Sequence, residues 1–154
     1  MKRLTFEISI NAPVGKVYDE MLGISDPASY LAWVVEFNPS STFEGSWEKG
    51  SRIKFIGVDE NGVEGGLVVE VVENKPNEFV SLRTIGIIDK GEEILTGEKV
   101  DAWLGGYENY TYREENGITT VRVDVDSLDD FVEYFSTTYP KALQKLKSNI
   151  ESGS

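Results

Sequence analysis

Residues 128–150 read LDDFVEYFSTTYPKALQKLKSNI, and this stretch decides the fold. At 100° per residue, Leu128, Phe131, Tyr134, Phe135, Tyr139, Ala142, Leu143, Leu146 and Ile150 cover about half of the helix circumference. Asp129, Asp130 and Glu133 stand at the positive end of the macrodipole, with Lys141, Lys145 and Lys147 towards the negative end. Ser127 is expected to cap the helix. Pro140 falls on the opposite, solvent face, where it loses one backbone bond and bends the helix towards its buried side. So aromatic a face needs a broad apolar partner, and the remaining sequence supplies one.

The two segments before the helix form a hairpin. Tyr107–Glu115 and Ile118–Asp126 are joined by Asn116-Gly117, the pair that a two-residue type I′ turn favours. With those two residues as the loop, Glu115 pairs with Ile118, Tyr112 with Val121, Tyr110 with Val123 and Glu108 with Val125. Paired residues share a face. Val121, Val123 and Val125 alternate with Thr120, Arg122 and Asp124, so the valines face inward and carry Tyr110, Tyr112 and Glu108 with them. A slip of one residue would reverse this.

Further back, strands are expected at Thr42–Trp47, Arg52–Val58, Gly66–Glu73 and Phe79–Ile88. Each break between them holds the Gly, Pro or Asn that a tight turn requires, and strands joined so closely are antiparallel. On the last of these, Val80, Leu82 and Thr84 form one face, taken as the inner one. Arg83 lies with Phe79, Ser81 and Ile85 on the other, paired with a neighbouring acid; if the faces were reversed it would become an anion anchor. Residues 89–105 carry no clear period, although Glu98–Trp103 fits one or two helical turns. At the N-terminus, Leu4, Phe6, Ile8 and Ile10 alternate as in a half-buried strand. Pro13 then opens a helix with Val14, Val17, Tyr18, Met21 and Leu22 on one face, and Gly23 stops it. Asp26-Pro27 caps a second short helix carrying Tyr30, Leu31 and Trp33.

The expected fold class is α+β. A curved antiparallel sheet of about six to seven strands wraps a long C-terminal α-helix, with two short helices after the first strand. Residues 1–154 read as one domain, without an internal repeat or a linker.

Composition narrows the chemistry. The 154 residues include 27 acidic and 15 basic side chains, a net charge of −12. Nucleic acid and anionic lipid surfaces both require concentrated Lys and Arg, so neither is an expected partner. The sequence contains no cysteine and no histidine. This removes disulfides, Ser-His-Asp and Cys-His arrangements and most transition-metal sites, so no metal and no cofactor is expected. Carboxylates, Lys, Tyr and Ser remain as candidate catalysts, which favours a binder over an enzyme. Glu92-Glu93 and Glu98–Asp101 lack the alternating oxygen ligands of a calcium loop and read as acidic surface. Neither a secretory leader nor a run of apolar residues long enough to span a bilayer stands out, which gives a cytoplasmic expectation and no membrane insertion. The oligomeric state is not legible.

The order of strand, two helices, meander and closing helix resembles the helix-grip fold of the START/SRPBCC superfamily, which includes the birch-pollen-allergen proteins. Four motifs are similar to a narrower branch, the homologues of the heat-shock chaperone ATPase activator. They are Ile10-Asn-Ala-Pro-Val14, Phe43-Glu-Gly-Ser-Trp-Glu-Lys-Gly50, Glu108-Asn-Tyr-Thr-Tyr112 and Tyr139-Pro-Lys-Ala-Leu143, and the resemblance runs from about Arg3 to Ile150. At Tyr139 this sequence departs from the Trp more usual in the branch. The superfamily resemblance implies a hydrophobic cavity between sheet and long helix that holds lipids, polyketides, hormones or similar molecules. It carries over no catalytic residue set. A polyketide-cyclase or aromatase-like enzyme and a chaperone-interacting module are the alternative functions.

The candidate lining of such a cavity is Trp33, Phe37, Phe55, Leu82, Glu108, Tyr110, Tyr112, Phe131, Tyr134, Phe135 and Tyr139. Loops around residues 28–37 and 86–104 would give the entry. The same residue types also suit a filled core, in which the phenol hydroxyls reach backbone partners or water. Glu108 has two readings. It sits at a strand end and reaches solvent or caps a loop, or it projects inward to bind a ligand hydroxyl or amine, or to act as a base of raised pKa.

Overall fold

The Asn116-Gly117 turn has left-handed backbone at both positions, with φ of 55° and 80°. This geometry matches the twist of the strands it joins, β7 (Tyr107–Glu115) and β8 (Ile118–Ser127). The register is the expected one: Glu108 faces Val125, Tyr110 faces Val123, Tyr112 faces Val121 and Glu115 faces Ile118. In this computed structural model, which describes residues 1–152, the hairpin is the centre from which the sheet extends on both sides.

On one side β1 (Lys2–Ile10) pairs along its whole length with β8, from Lys2 opposite Ser127 to Ile10 opposite Thr119. On the other follow β5 (Phe79–Asp89), β4 (Glu64–Lys75), β3 (Arg52–Val58) and β2 (Thr42–Gly45). The antiparallel order is β1-β8-β7-β5-β4-β3-β2, and a short β6 (Glu92–Ile94) pairs with the end of β5. Register shifts at Val68/Val69 and Val71/Glu73 mark two bulges, with Ile85 the extra residue in β5 and Val72 the extra residue in β4. Such bulges bend a strand and increase its twist. The second expected strand is shorter than the sequence suggested, ending at Gly45 instead of Trp47. Gly45 has a φ of 127°, and a side chain there would run into the Arg52 carbonyl.

Four helices accompany the sheet: α1 (Val14–Leu22), α2 (Pro27–Val34), α3 (Glu98–Asp101) and α4 (Val132–Ser152). Gly23 ends α1 in the left-handed conformation, and Asp26 caps α2 by accepting from the Ala28 N–H at 3.0 Å. Two glutamates fix the entry to α1 in a way the local sequence does not show. Glu114 of β7 accepts from the Val14 N–H at 2.7 Å, and Glu151 of α4 from the Asn11 N–H at 2.8 Å. The first satisfies a backbone donor that the helix start leaves open, and the second one in the link between β1 and α1.

The C-terminal helix differs from expectation at its beginning. Ser127 is the last residue of β8, and its hydroxyl donates to the Leu128 carbonyl instead of capping. Pairing with Lys2 holds Ser127 in the strand, so the helical path begins later, with a 3₁₀ turn over Asp129–Phe131. Within α4, Tyr139, Ala142, Leu143, Leu146 and Ile150 are buried and Pro140 is exposed. The helix crosses β1, where the Tyr139 and Phe6 rings stack at 5.1 Å. The core between them includes Ile10, Met21, Trp33, Leu82, Val121, Val123, Leu143 and Leu146. Removing a Leu or Val side chain from water contributes about 1.5–3 kcal/mol, so this face is the main source of helix stability. No described helix is long and apolar enough to cross a membrane.

Candidate functional site

A cavity of about 660 Å³, open to solvent, lies between the inner face of the sheet, α2 and α4. Its size falls in the range of small-molecule sites, about 300–1,000 Å³. Strand alternation turns Phe55 of β3, Leu82 and Thr84 of β5, and Glu108 and Tyr110 of β7 to this side. The opposite face of β5 carries Arg83, which pairs with Glu70 at 2.9 Å as expected for the outer surface.

From α2 and the residues after it come Tyr30, Trp33, Val34 and Phe37. Their spacing of i, i+3, i+4 and i+7 places them on one helical face. Trp33 is buried, with its indole N–H donating to the Met21 carbonyl at 2.9 Å, so its ring is fixed as a wall. From α4 and its entry come Phe131, Tyr134, Phe135 and Tyr139. Phe37 and Tyr139 meet edge to face at 4.9 Å, and Tyr134 donates to the Phe37 carbonyl at 2.7 Å. Phe131 and Tyr134 stay 39% and 41% exposed, so they stand where the lining reaches the surface. Phe131 packs there against Trp103 at 5.3 Å. The lining also reaches the surface at Asp59, Val63 and Glu64, in the β3–β4 turn, which the sequence did not mark as an entry.

Tyr112 has a different place. It is absent from the lining, meets Tyr18 edge-on at 5.6 Å and directs its hydroxyl to the Met21 sulfur at 3.2 Å. It belongs to the core beneath α1. Tyr30 has the converse history, since the sequence placed it only on the short helix. It is buried, lines the cavity and meets Phe43 at 5.0 Å and Trp33 at 5.7 Å. The i, i+3, i+4, i+7 pattern from Tyr30 to Phe37 was the available signal.

Glu108 is not a freely exposed strand end. It is half-buried and lines the cavity. The Tyr139 hydroxyl donates a short hydrogen bond to its Oε2. Burial raises the carboxyl pKa, with hydrogen bonds from Tyr139 and Tyr110 acting the other way. The same burial pushes the Tyr139 and Tyr110 phenols well up, helped by the Glu108 charge; Tyr30 is raised for the same two reasons. All three phenols therefore stay protonated at neutral pH and serve as donors.

The acidic segment around residues 89–101 is engaged in ion pairs. Glu93 pairs with Arg52 at 2.7 Å and Lys54 at 3.1 Å, and Asp89 with Lys99 at 2.8 Å. Among the described residues no cluster of three or more potential metal ligands occurs.

No protein-family model matches the chain, and no curated protein matches it in sequence. Solved structures do resemble it along its whole length. The solution structure of the Aha1 dimer from Colwellia psychrerythraea has a TM-score of 0.68 at 22% identity, over 100% of this chain and 99% of that one. Protein Ms6760 from Mycobacterium smegmatis has a TM-score of 0.70 at 15% identity, covering 99% and 92%. DynU16, from the dynemicin biosynthetic locus, has a TM-score of 0.66 at 16% identity, over 100% of this chain but 49% of its own. At these identities the likeness is one of fold, and the chain has the helix-grip architecture, an antiparallel sheet with two short helices after β1 and a long C-terminal helix.

Proposed function

We propose that the protein binds a hydrophobic or amphipathic small molecule in the cavity between the sheet and α4. The observation that carries this reading is the cavity of about 660 Å³, walled by Trp33, Phe37, Phe55, Leu82, Phe135 and Tyr139, with the Glu108–Tyr139 hydrogen bond in its lining. An apolar enclosure with a few convergent polar groups is the usual form of a small-molecule site. The motifs quoted above, together with the full-length likeness to the Colwellia Aha1 protein, support placing the chain in the chaperone-activator-homologue branch. Fold alone does not transmit an activity, so the function rests on the site.

Native mass spectrometry of protein purified from its own host tests the reading. A retained small molecule, released on unfolding, is the expected result. A bare chain that also fails to take up any neutral apolar probe would refute it. The Glu108–Tyr139 pair gives the one specific reason for a second reading, a cyclase-like reaction with Glu108 as base. Turnover unchanged in Glu108→Gln, once a substrate is in hand, removes that reading.

A further inference from the structure

The charge of the lining points to the ligand class, an inference that rests on the binding role proposed above. Among the described residues five carboxylates line the cavity, Asp59, Glu64, Asp89, Glu108 and Asp126, and no Lys or Arg does. Two of the five are neutralised from outside. Asp126 pairs with Arg3 at 2.9 Å, and Asp89 with Lys99 at 2.8 Å. The Met1 ammonium also acts on Asp126. Asp59 accepts from the N–H groups of Asn61 and Val63 within its own turn. Glu108 is half-buried among aromatic rings, and its hydrogen-bond partners are phenols, which donate without cancelling charge. Among the described residues it forms no ion pair with a Lys or Arg.

An uncompensated carboxylate in an aromatic enclosure is costly in the empty protein, and a cation would relieve that cost. The rings of Tyr30, Tyr139, Trp33 and Phe37 stand in the same wall, and aromatic faces attract cations. An anionic head group would meet five carboxylates instead. We propose that the cavity selects cationic amphiphiles, molecules with an apolar or aromatic body and a protonated amine, and that the ammonium sits against Glu108. Carboxylated and phosphorylated lipids are excluded by the same arrangement.

The test uses three probes that share one alkyl chain, dodecylamine, dodecanol and dodecanoate. Each displaces the neutral fluorophore N-phenyl-1-naphthylamine from the intact protein at pH 7.5, below micellar concentrations. The amine should bind about tenfold or more tighter than the alcohol, as expected for a close desolvated charge pair, and the acid more weakly than both. Glu108→Gln should bring the amine to the level of the alcohol, each measured against that variant's own affinity for the fluorophore. Glu133→Gln changes net charge equally on the exposed side of α4 and should leave the preference intact, which separates Glu108 from the general attraction of a −12 chain. Fluorophore binding with no preference for the amine, or a preference that survives Glu108→Gln, overturns the proposal and leaves the cavity-binding reading standing. Absence of any fluorophore binding overturns both.

Discussion

Replacing Glu108 with glutamine should make the protein more stable, which is unusual for a residue at a site. The carboxylate is held in a low-dielectric wall, and burial outweighs its hydrogen bonds in setting its pKa. The effective desolvation penalty of a buried ion is several kcal/mol. Against it stand the hydrogen bonds from Tyr139 and Tyr110. Each weakens by about 1 kcal/mol when its acceptor becomes neutral, because hydrogen bonds to charged groups contribute about 1.5–3 kcal/mol and neutral ones about 0.5–1.5. The amide oxygen still accepts from Tyr139, so a net gain of about 1 kcal/mol is expected, within the range that relieving a functional site commonly yields. For a chain of this size it raises the thermal midpoint by about 2–4 °C. The pH dependence has a definite sign. A carboxyl whose folded-state pKa is raised disfavours the native state when ionised; this cost is complete above the folded value and disappears as pH falls below the ordinary carboxylate range. Urea unfolding should therefore separate Glu108→Gln from the parent at pH 8 and bring them together below about pH 4. A variant less stable than the parent by about 1 kcal/mol or more at pH 8 would show that the carboxylate is a stabilising member of the fold, and would refute the reasoning.

Four further perturbations separate core, rim, backbone and surface charge. Leu143→Ala, at a fully buried position of α4, should cost about 2–5 kcal/mol in urea unfolding. Tyr134→Ala, at the exposed rim, should cost only about 1 kcal/mol through its hydrogen bond to Phe37. Gly66→Ala should cost about 1–3 kcal/mol, because φ is 156° and a Cβ would overlap the Phe55 carbonyl oxygen across the β3–β4 pair. Its effect should appear in circular-dichroism melting as a lowered midpoint. Asp126→Asn should lower stability at pH 7 by about 1 kcal/mol, because the hydrogen bond from Arg3 depresses this carboxyl. A depressed pKa contributes stability above the ordinary carboxylate range that is lost as pH falls through the folded value, so the deficit should close in acid.

The features legible in the sequence were those set by local period or turn chemistry. Asn116-Gly117 gave the β7–β8 register and the inward direction of Glu108, because a two-residue turn leaves no freedom in pairing. The buried face of α4 from Tyr139 to Ile150 followed from helical spacing. Depth along that face did not follow, since period says which side a residue takes and not what covers it. Phe131 and Tyr134 are thus on the expected side yet largely exposed. Ser127 looked like a cap because the strand partner that retains it, Lys2, lies 125 positions away in sequence. Residues 92–94 form a strand too short to show a period, held only by pairing with β5. The partial burial of Glu108 depends on α4 crossing the sheet with Tyr139, a contact between residues 31 positions apart. Tyr112 shows the limit in the other direction. Correct register put it inward, but α1 packs over that end of the sheet and places it in the core.

The most direct measurement is a solution NMR titration of the methyl groups with N-phenyl-1-naphthylamine. Saturable binding of one molecule per chain is the expected result, with shifts concentrated at Val34, Leu67, Leu82 and Val125 of the lining and absent at the distant, exposed Ile118. Unsaturable binding, or shifts scattered over the outer surface with the lining unmoved, would contradict the existence of a ligand site between the sheet and α4.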